Sequence, residues 1–377
     1  MNPTVAGFGV RPFADVADRW DASVGQSSES WLFHLSDWIA LEERSAKSVS
    51  FALELDGAIV GLCPLYVGTK QYGRVIKSRF LHTGRARSGP AVLDGLSAVR
   101  QAEARAALFA EIDRIAGECG VDSIEVRLPS IAAAYLPPAR PSLNPMRVIG
   151  GYGPVGYGAH TSGGLRDQVL SLAGGEERLW SGLEHDCRKA VRKATKCGVE
   201  VVEAVDRSDI AKYHRLHVDN FHHTGATPVP LAEFEMMWDR LHGRGLMRMY
   251  FARHEGRTIA GLIALSFAGA STYWAGSSIR EAQNLRPNNL LMWHAILQSE
   301  KSGCRWFELG PTFDDADPSS KARRIGRFKE QFGGQPFELF EGVKRTRPLK
   351  VAAMELVAKS ARAAAAVGRK IRKGTAP

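Results

Sequence analysis

The sequence predicts an α/β protein built from two similar halves, each a mixed, twisted sheet flanked by helices. Three observations carry this expectation. A hairpin pattern recurs: residues 49–55 and 58–67 read as strands around Asp56-Gly57, and residues 250–254 and 258–267 repeat it around Glu255-Gly256. A helix, glycine and strand also recur in order, from residues 98–118 through Gly120 to Ser123–Pro129, and from 289–301 through Gly303 to Arg305–Leu309. Finally, 377 residues exceed what one ordinary core needs.

Taken in order, the first half has a helix expected over Ser30–Glu43, with Trp31, Leu35, Trp38 and Ile39 on one face and Ser28 or Ser30 as its cap. Residues 132–164 are rich in proline and glycine. They are too many for a plain linker and suggest a structured loop lining a cleft. A helix over Glu176–Cys197 starts acidic and ends with Lys193 and Lys196, which suits the helix dipole. Its Arg188, Arg192 and Lys196 stand four apart, a repulsive row that fits either an anionic partner or a solvated face. Ser271–Ala275 reads as a strand, and Pro287 and Asn288 as the start of the next helix. Trp306, Phe307 and Leu309 make a buried strand, with Gly310-Pro311 as its exit turn. A basic helix follows from Lys321: Ile325, Phe328 and Phe332 are spaced to face the core, Arg324, Arg327 and Lys329 to face the strand's end, and Gly333-Gly334 stop it. The expected domains are residues 1–165 and 166–347, then a basic tail at 348–377.

Composition narrows the class. Hydrophobic residues are 44% and charged residues 24%, as in a soluble globular protein. No run is long enough to span a membrane, and the start lacks a basic, then apolar, leader, so the expected location is the cytoplasm. The five cysteines form no Cys-x-x-Cys pair and imply neither zinc nor a disulfide framework. His214, His217 and His222-His223 lack a completing carboxylate or cysteine at zinc spacing and read as helix-surface histidines, so no metal site is expected. From Lys344 onward ten Lys/Arg face the single Glu355, so this end carries +9 of the net +10. Leu349, Ala353, Leu356, Ser360, Ala363, Val367 and Ile371 form a weak apolar stripe there. Such a helix can lie on the inner face of an anionic membrane, track RNA, or stay solvated.

Gly303-Cys-Arg-Trp-Phe-Glu-Leu-Gly-Pro followed by Arg327-Phe-Lys-Glu-Gln-Phe-Gly resembles the C-terminal signature of the Fem-type aminoacyl transferases and their acyltransferase relatives. Arg286-Pro-Asn-Asn-Leu-Leu-Met-Trp-His-Ala-Ile and the Arg188–Val199 segment match that family in order and spacing, so the resemblance covers about Leu179 to Pro348. It implies two tandem GNAT-like domains and amide formation from an aminoacyl-tRNA or an acyl thioester, carried on CoA or acyl carrier protein. It implies no tightly bound cofactor. The acceptor would be an amine of an anionic small molecule or a lipid-linked precursor, in the cell envelope or a natural-product pathway. Rival readings are N-acylation of a surface-polysaccharide amino sugar and a non-catalytic module that binds RNA or membrane. The glycines of the common acetyl-CoA turn are absent from Asn284–Leu290, and the long charged helical hairpin of Fem-type cell-wall enzymes is absent too.

Under the resemblance, Lys329 places positive charge near the oxyanion or the leaving oxygen, and Tyr273 lines the substrate channel as a candidate catalytic residue. Phe328, Arg188, Arg192, Lys196, Trp274, Asn288, Glu308 and Arg324 are the candidate substrate-binding residues. Glu308 could instead be a general base, or pair with Arg305 or Arg324.

Overall fold

The computed structural model describes residues 4–5, 7–72, 76–136, 158–222, 227–313, 317, 320–354 and 356–357. The chain divides into two compact units, Met1–Pro129 with Pro145–His160 and Phe340–Pro377, and Ser130–Asn144 with Thr161–Leu339.

The first unit contains, in order, β1 (Thr4–Val5), β2 (Phe8–Pro12), α1 (Ala17–Val24), α2 (Ser36–Glu42), β3 (Lys47–Ser48), β4 (Phe51–Leu55), β5 (Ala58–Cys63), β6 (Tyr66–Tyr72), β7 (Ile76–His82), β8 (Ala91–Val92), α3 (Ala98–Cys119) and β9 (Ser123–Arg127). Strands β1-β2-β4-β5-β8 form one antiparallel sheet. In the other, β3, β6 and β7 pair antiparallel, while β7 pairs parallel with β9 over Phe80–His82 and Ser123–Glu125. The turn between β4 and β5 is tight because Asp56 and Gly57 both take positive φ, 49° and 80°. Pro64 ends β5 where one strand to residue 67 was expected, since proline has no N–H for the ladder. The expected helix over 30–43 is broken: Leu32–His34 make a 3-10 turn, and α2 begins only after extended Leu35. The break is held by Trp20, whose Nε1 donates to the His34 carbonyl at 2.6 Å, and by Asp21, whose Oδ1 accepts the Ser36 N–H at 2.7 Å. The N-cap position is therefore Leu35, with Asp21 accepting the first helical N–H, and not Ser28 or Ser30.

The second unit contains β10 (Gly158–Ser171), α4 (Gly175–Gly182), α5 (His185–Lys196), β11 (Glu200–Glu203), α6 (Asp209–His222), α7 (Leu231–Met237), β12 (Met247–His254), β13 (Arg257–Phe267), β14 (Ala270–Ser278), α8 (Pro287–Lys301), β15 (Trp306–Phe313), α9 (Lys321–Glu330) and β16 (Gln335–Arg345). Its sheet runs β11-β12-β13-β14-β15-β10. Neighbours are antiparallel except β14 and β15. The end of β16, Glu341–Arg345, belongs to the first unit and pairs with β9. The core joins Leu179, Leu183, Cys187 and Val191 of α4 and α5 to Leu291, Met292 and Ile296 of α8, and to Phe307 and Leu309 of β15.

Three expectations change here. The helix over 176–197 is two helices, because Leu183 and Glu184 are extended. The Glu184 N–H donates to the Gln331 carbonyl at 2.9 Å, and Arg188 donates to the carbonyls of Ser181 and Leu183, so the kink is satisfied by side chain and neighbouring loop. Gly310-Pro311 lies inside β15 instead of ending it, Gly310 taking φ 82°. On α9 Ile325, expected in the core, is 40% exposed, while Lys329 faces the end of β15 as expected but is buried there.

In the tail, residues 348–354 are helical and bury Val351 and Met354, whereas Leu349 and Leu356 of the expected stripe are exposed. The stripe beyond residue 357, residues 137–157 of the expected cleft loop, and His223 lie outside the described residues. No described helix is long and apolar enough to cross a membrane.

Candidate active site

Strands β14 and β15 pair only over Ala270–Thr272 and Trp306–Glu308, although they continue to Ser278 and Phe313. Their divergence opens the sheet beside Tyr273 and Leu309. Alternation then sorts the side chains at this point. Phe307 and Leu309 join the helix-side core, and Tyr273 packs against it, so Thr272 and Glu308 face the other way.

Lys329 comes from the helix side. Its Nζ is 3.0 Å from the Pro311 carbonyl and 5.9 Å from the centre of the Tyr273 ring. Burying an ammonium is costly unless fixed dipoles replace its water. Gly310 makes that seat: a Cβ there would stand 2.9 Å from Nζ. The helix that delivers the lysine is itself anchored. Ser320 Oγ accepts the Arg323 N–H at 3.0 Å, Arg323 pairs with Glu330 at 2.5 Å, and Phe328 meets buried Phe332 edge to face at 5.3 Å. Burial pushes the Tyr273 phenol up to about 12, so at neutral pH it is protonated and can donate a hydrogen bond.

On the opposite face, the buried Glu308 carboxylate accepts from Thr272 Oγ1 at 2.7 Å and from Ser130 Oγ at 2.9 Å, instead of pairing with Arg305 or Arg324. Ser130 also reaches buried Asp167, at 2.5 Å. Sequence reading missed both residues: an isolated serine and an aspartate in a strand carry no local signal.

A groove of about 560 Å³ lies between α5, α9 and the start of α8. Lys189, Lys193, Arg286, Arg324 and Arg327 line it against two carboxylates, Glu184 and Asp186. Arg327 is forked onto Glu184 at 2.9 and 2.6 Å, while the other four cations make no ion pair among the described residues. Arg286 caps α8 in the left-handed region with φ 59°, a strained choice for a residue bearing a Cβ, and Pro287 follows at the first helical position. The positive end of the α8 dipole therefore adds to the side-chain charge, which gives the groove a positive potential.

The structure thus brings Lys329 and Tyr273 together and puts Arg324 and Phe328 in the cationic groove. It does not bring the other candidates there. Asn288 donates to Ser278 Oγ at 3.1 Å, and its neighbour Asn289 lines the groove instead. Arg188 braces the α4–α5 kink, Trp274 lines neither groove, and Arg192 and Lys196 line a second groove on α5. Lys189 and Lys193 form a second row of charges on the helix that also carries Arg192 and Lys196, and Arg286 stands in the matched motif without a charge signal of its own. The histidines serve the fold: His217 Nε2 accepts the Val229 N–H at 2.9 Å, and His214 bonds the Val229 carbonyl at 3.1 Å. No group of three metal-ligating side chains occurs among the described residues.

Residues 182–320 match the family model described as the acetyltransferase (GNAT) domain. This segment is similar to a GNAT domain. It contains α5, the diverging strands and the α8 terminus, and it stops just before α9. The whole chain has the fold of Fem-type and tandem GNAT proteins. The crystal structure of FemX superposes with a TM-score of 0.70 at 16% identity, covering 89% of this chain and 98% of that one. L-PGS from Bacillus licheniformis gives 0.55 at 10% identity, over 91% and 96%. A tandem GNAT protein from the clavulanic acid biosynthesis pathway gives 0.53 at 14%, over 90% and 98%. At these identities the likeness is one of fold. No curated relative matches the sequence.

Proposed function

We propose that this protein is an amide-forming transferase. It moves an acyl or aminoacyl group from an activated donor, an aminoacyl-tRNA or an acyl thioester, to an amine of a cell-envelope or natural-product precursor. The observation that carries this reading is the seat of Lys329: an ammonium fixed at the mouth of two diverging strands, beside a protonated tyrosine and close to a cationic groove.

In this reading the donor's phosphates occupy the groove of Lys189, Lys193, Arg286 and Arg324, and its acyl carbon enters between β14 and β15. The acceptor's neutral amine attacks that carbon. Negative charge develops on the carbonyl oxygen and then on the departing oxygen or sulfur, where the Lys329 ammonium and the Tyr273 hydroxyl stabilise it. Glu308, on the far face with Ser130 and Thr272, takes the proton that the amine sheds. Each of these groups is fixed before substrate arrives, so little reorganisation is needed in the transition state.

The reading is tested by incubating the protein with charged tRNA, acetyl-CoA, long-chain acyl-CoA and acyl carrier protein, following thermal stability and the mass of added amines. One donor should raise the melting temperature in proportion to its occupancy. Silence from every donor removes the enzymatic reading. Exposed Leu349 and Leu356 beside a basic end further support peripheral membrane contact through 348–377. Liposome flotation checks this, and unchanged flotation of Leu349→Glu/Leu356→Glu removes it.

A further inference from the structure

Helix α5 borders a second groove, of about 550 Å³, distinct in its lining from the one that Lys329 adjoins. Its floor is apolar and aromatic. Trp293 is buried, and the half-buried Trp180 meets it at 5.3 Å with their planes 62° apart. The exposed guanidinium of Arg192 lies 5.2 Å from the Trp180 ring. Lys196 stands one turn further along the same helix, and Glu176 is the only carboxylate in the lining.

Three features of this groove need an occupant. Arg192 and Lys196 are like charges at i and i+4, which repel. Neither makes an ion pair among the described residues, so nothing in the fold offsets that repulsion. The third feature is an exposed planar cation held over an indole ring. Such a surface takes another flat π-system: nucleobases stack on aromatic rings and on arginine planes, and lysine answers the phosphate that each nucleotide carries. A carboxylate on the rim can accept from an exocyclic amine or ring N–H of a purine. An aliphatic lipid would leave the cations unanswered, and a bare phosphate would leave the aromatic floor unused. Lys189 and Lys193 line the first groove from the same helix, so a nucleotide-bearing donor meets cations on both sides of α5.

We propose that this groove is a purine-nucleotide site: the base stacks on the Arg192–Trp180 layer, Glu176 accepts its N–H, and Lys196 holds a phosphate. The inference rests on the reading of the first groove as the donor's phosphate site. Two donors carry this chemistry, coenzyme A through its adenosine bisphosphate and an RNA through its unpaired 3′-terminal adenosine.

The test measures binding of coenzyme A and of a fluorescein-labelled single-stranded RNA hexamer ending in adenosine to the full chain, with Trp180→Ala, Arg192→Gln and, in the first groove, Lys193→Glu. One probe is expected to bind the wild type and to weaken roughly tenfold or more in both Trp180→Ala and Arg192→Gln. The probe that responds identifies the donor class. Arg192 is exposed, so Arg192→Gln reports on the groove even where Trp180→Ala lowers stability. A probe that Lys193→Glu weakens but Trp180→Ala and Arg192→Gln leave unchanged overturns this site while the donor reading stands. Failure of both probes to bind the wild type overturns both.

Discussion

The two units contain the same junction and finish it differently. In each, a three-residue parallel pairing ends with a glutamate on the second strand: His82 opposite Glu125 in the first unit, Thr272 opposite Glu308 in the second. In the first unit the next residue stitches the strands together. The Thr83 N–H donates to the Glu125 carbonyl at 3.2 Å, and its Oγ1 accepts the Arg127 N–H at 2.8 Å. Glu125 is paired with Lys70 and, at 3.5 Å, with Arg127. In the second unit the next residue is Tyr273, the parallel pairing stops, and the glutamate is held by hydroxyls. A duplicated junction is closed by ordinary hydrogen bonds and ion pairs where only the fold needs it. Where it stays open, with charge held at its mouth, chemistry is the better account.

The strongest way to break this contrast is Lys329→Ala. Removing a fixed charge from developing negative charge should lower the transfer rate by roughly 10³-fold. The melting temperature should stay close to wild type, because the ammonium makes a costly buried group. Full activity in the folded variant would leave the open junction without a catalytic cation. Next in size is Glu308→Gln, which keeps the hydroxyl contacts but cannot accept a proton. A loss of roughly 10²-fold in kcat is expected. Tyr273 should add no inflection to the pH–rate profile below about pH 10, since burial holds its phenol at about 12. An inflection near 10 that disappears in Tyr273→Phe would make the tyrosine, not Glu308, the base. Gly310→Ala should come third, at roughly tenfold in rate with about 1–2 kcal/mol of stability, because φ is 82° and the new Cβ meets Nζ at 2.9 Å. Unchanged kinetics would mean that the lysine's seat need not be so narrow.

How much of this was legible in sequence depends on the range of the signal. The hairpins and the helix–glycine–strand repeat were legible because Asp56-Gly57, Glu255-Gly256, Gly120 and Gly303 act locally, through positive φ. Lys329 stood out because it lies in the Arg327-Phe-Lys-Glu-Gln-Phe-Gly segment that resembles the Fem-type signature. Its burial was not legible: helical spacing put Ile325 in the core and Lys329 at the strand's end, whereas Ile325 is exposed and Lys329 is buried where Gly310, nineteen positions earlier, leaves room for its Nζ. The split of 176–197 into two helices was likewise hidden, since charge and periodicity run through Leu183-Glu184 and the bond from Glu184 to Gln331 is long-range. Ser130, in a turn, and Asp167, in β10, became visible only once the fold set them beside Glu308.

The smallest expected effect gives the finest test of the comparison. Glu125→Gln removes a carboxylate at the position equivalent to Glu308, so under this account it should leave transfer unchanged and touch only stability. The loss at neutral pH should be about 0.5–1 kcal/mol, since Lys70 is partly exposed and such pairs contribute little. Acid should reveal more. Burial lowers the opposite residue, His82, from 6.5 to about 4, and Glu125 is the neighbour that pulls it back up. A group whose folded pKa is depressed stabilises the fold above its unfolded value, and that contribution is lost as pH falls from 6.5 through 4, because the unfolded chain binds the proton first. Without Glu125 the folded pKa falls further and the window of loss extends to lower pH. Glu125→Gln should therefore go on losing stability below pH 4, where the wild-type loss through His82 levels off, measured by urea unfolding from neutral pH to below pH 4. A parallel pH course, or a fall in transfer rate at neutral pH, would mean that the closed junction of the first unit is not merely structural.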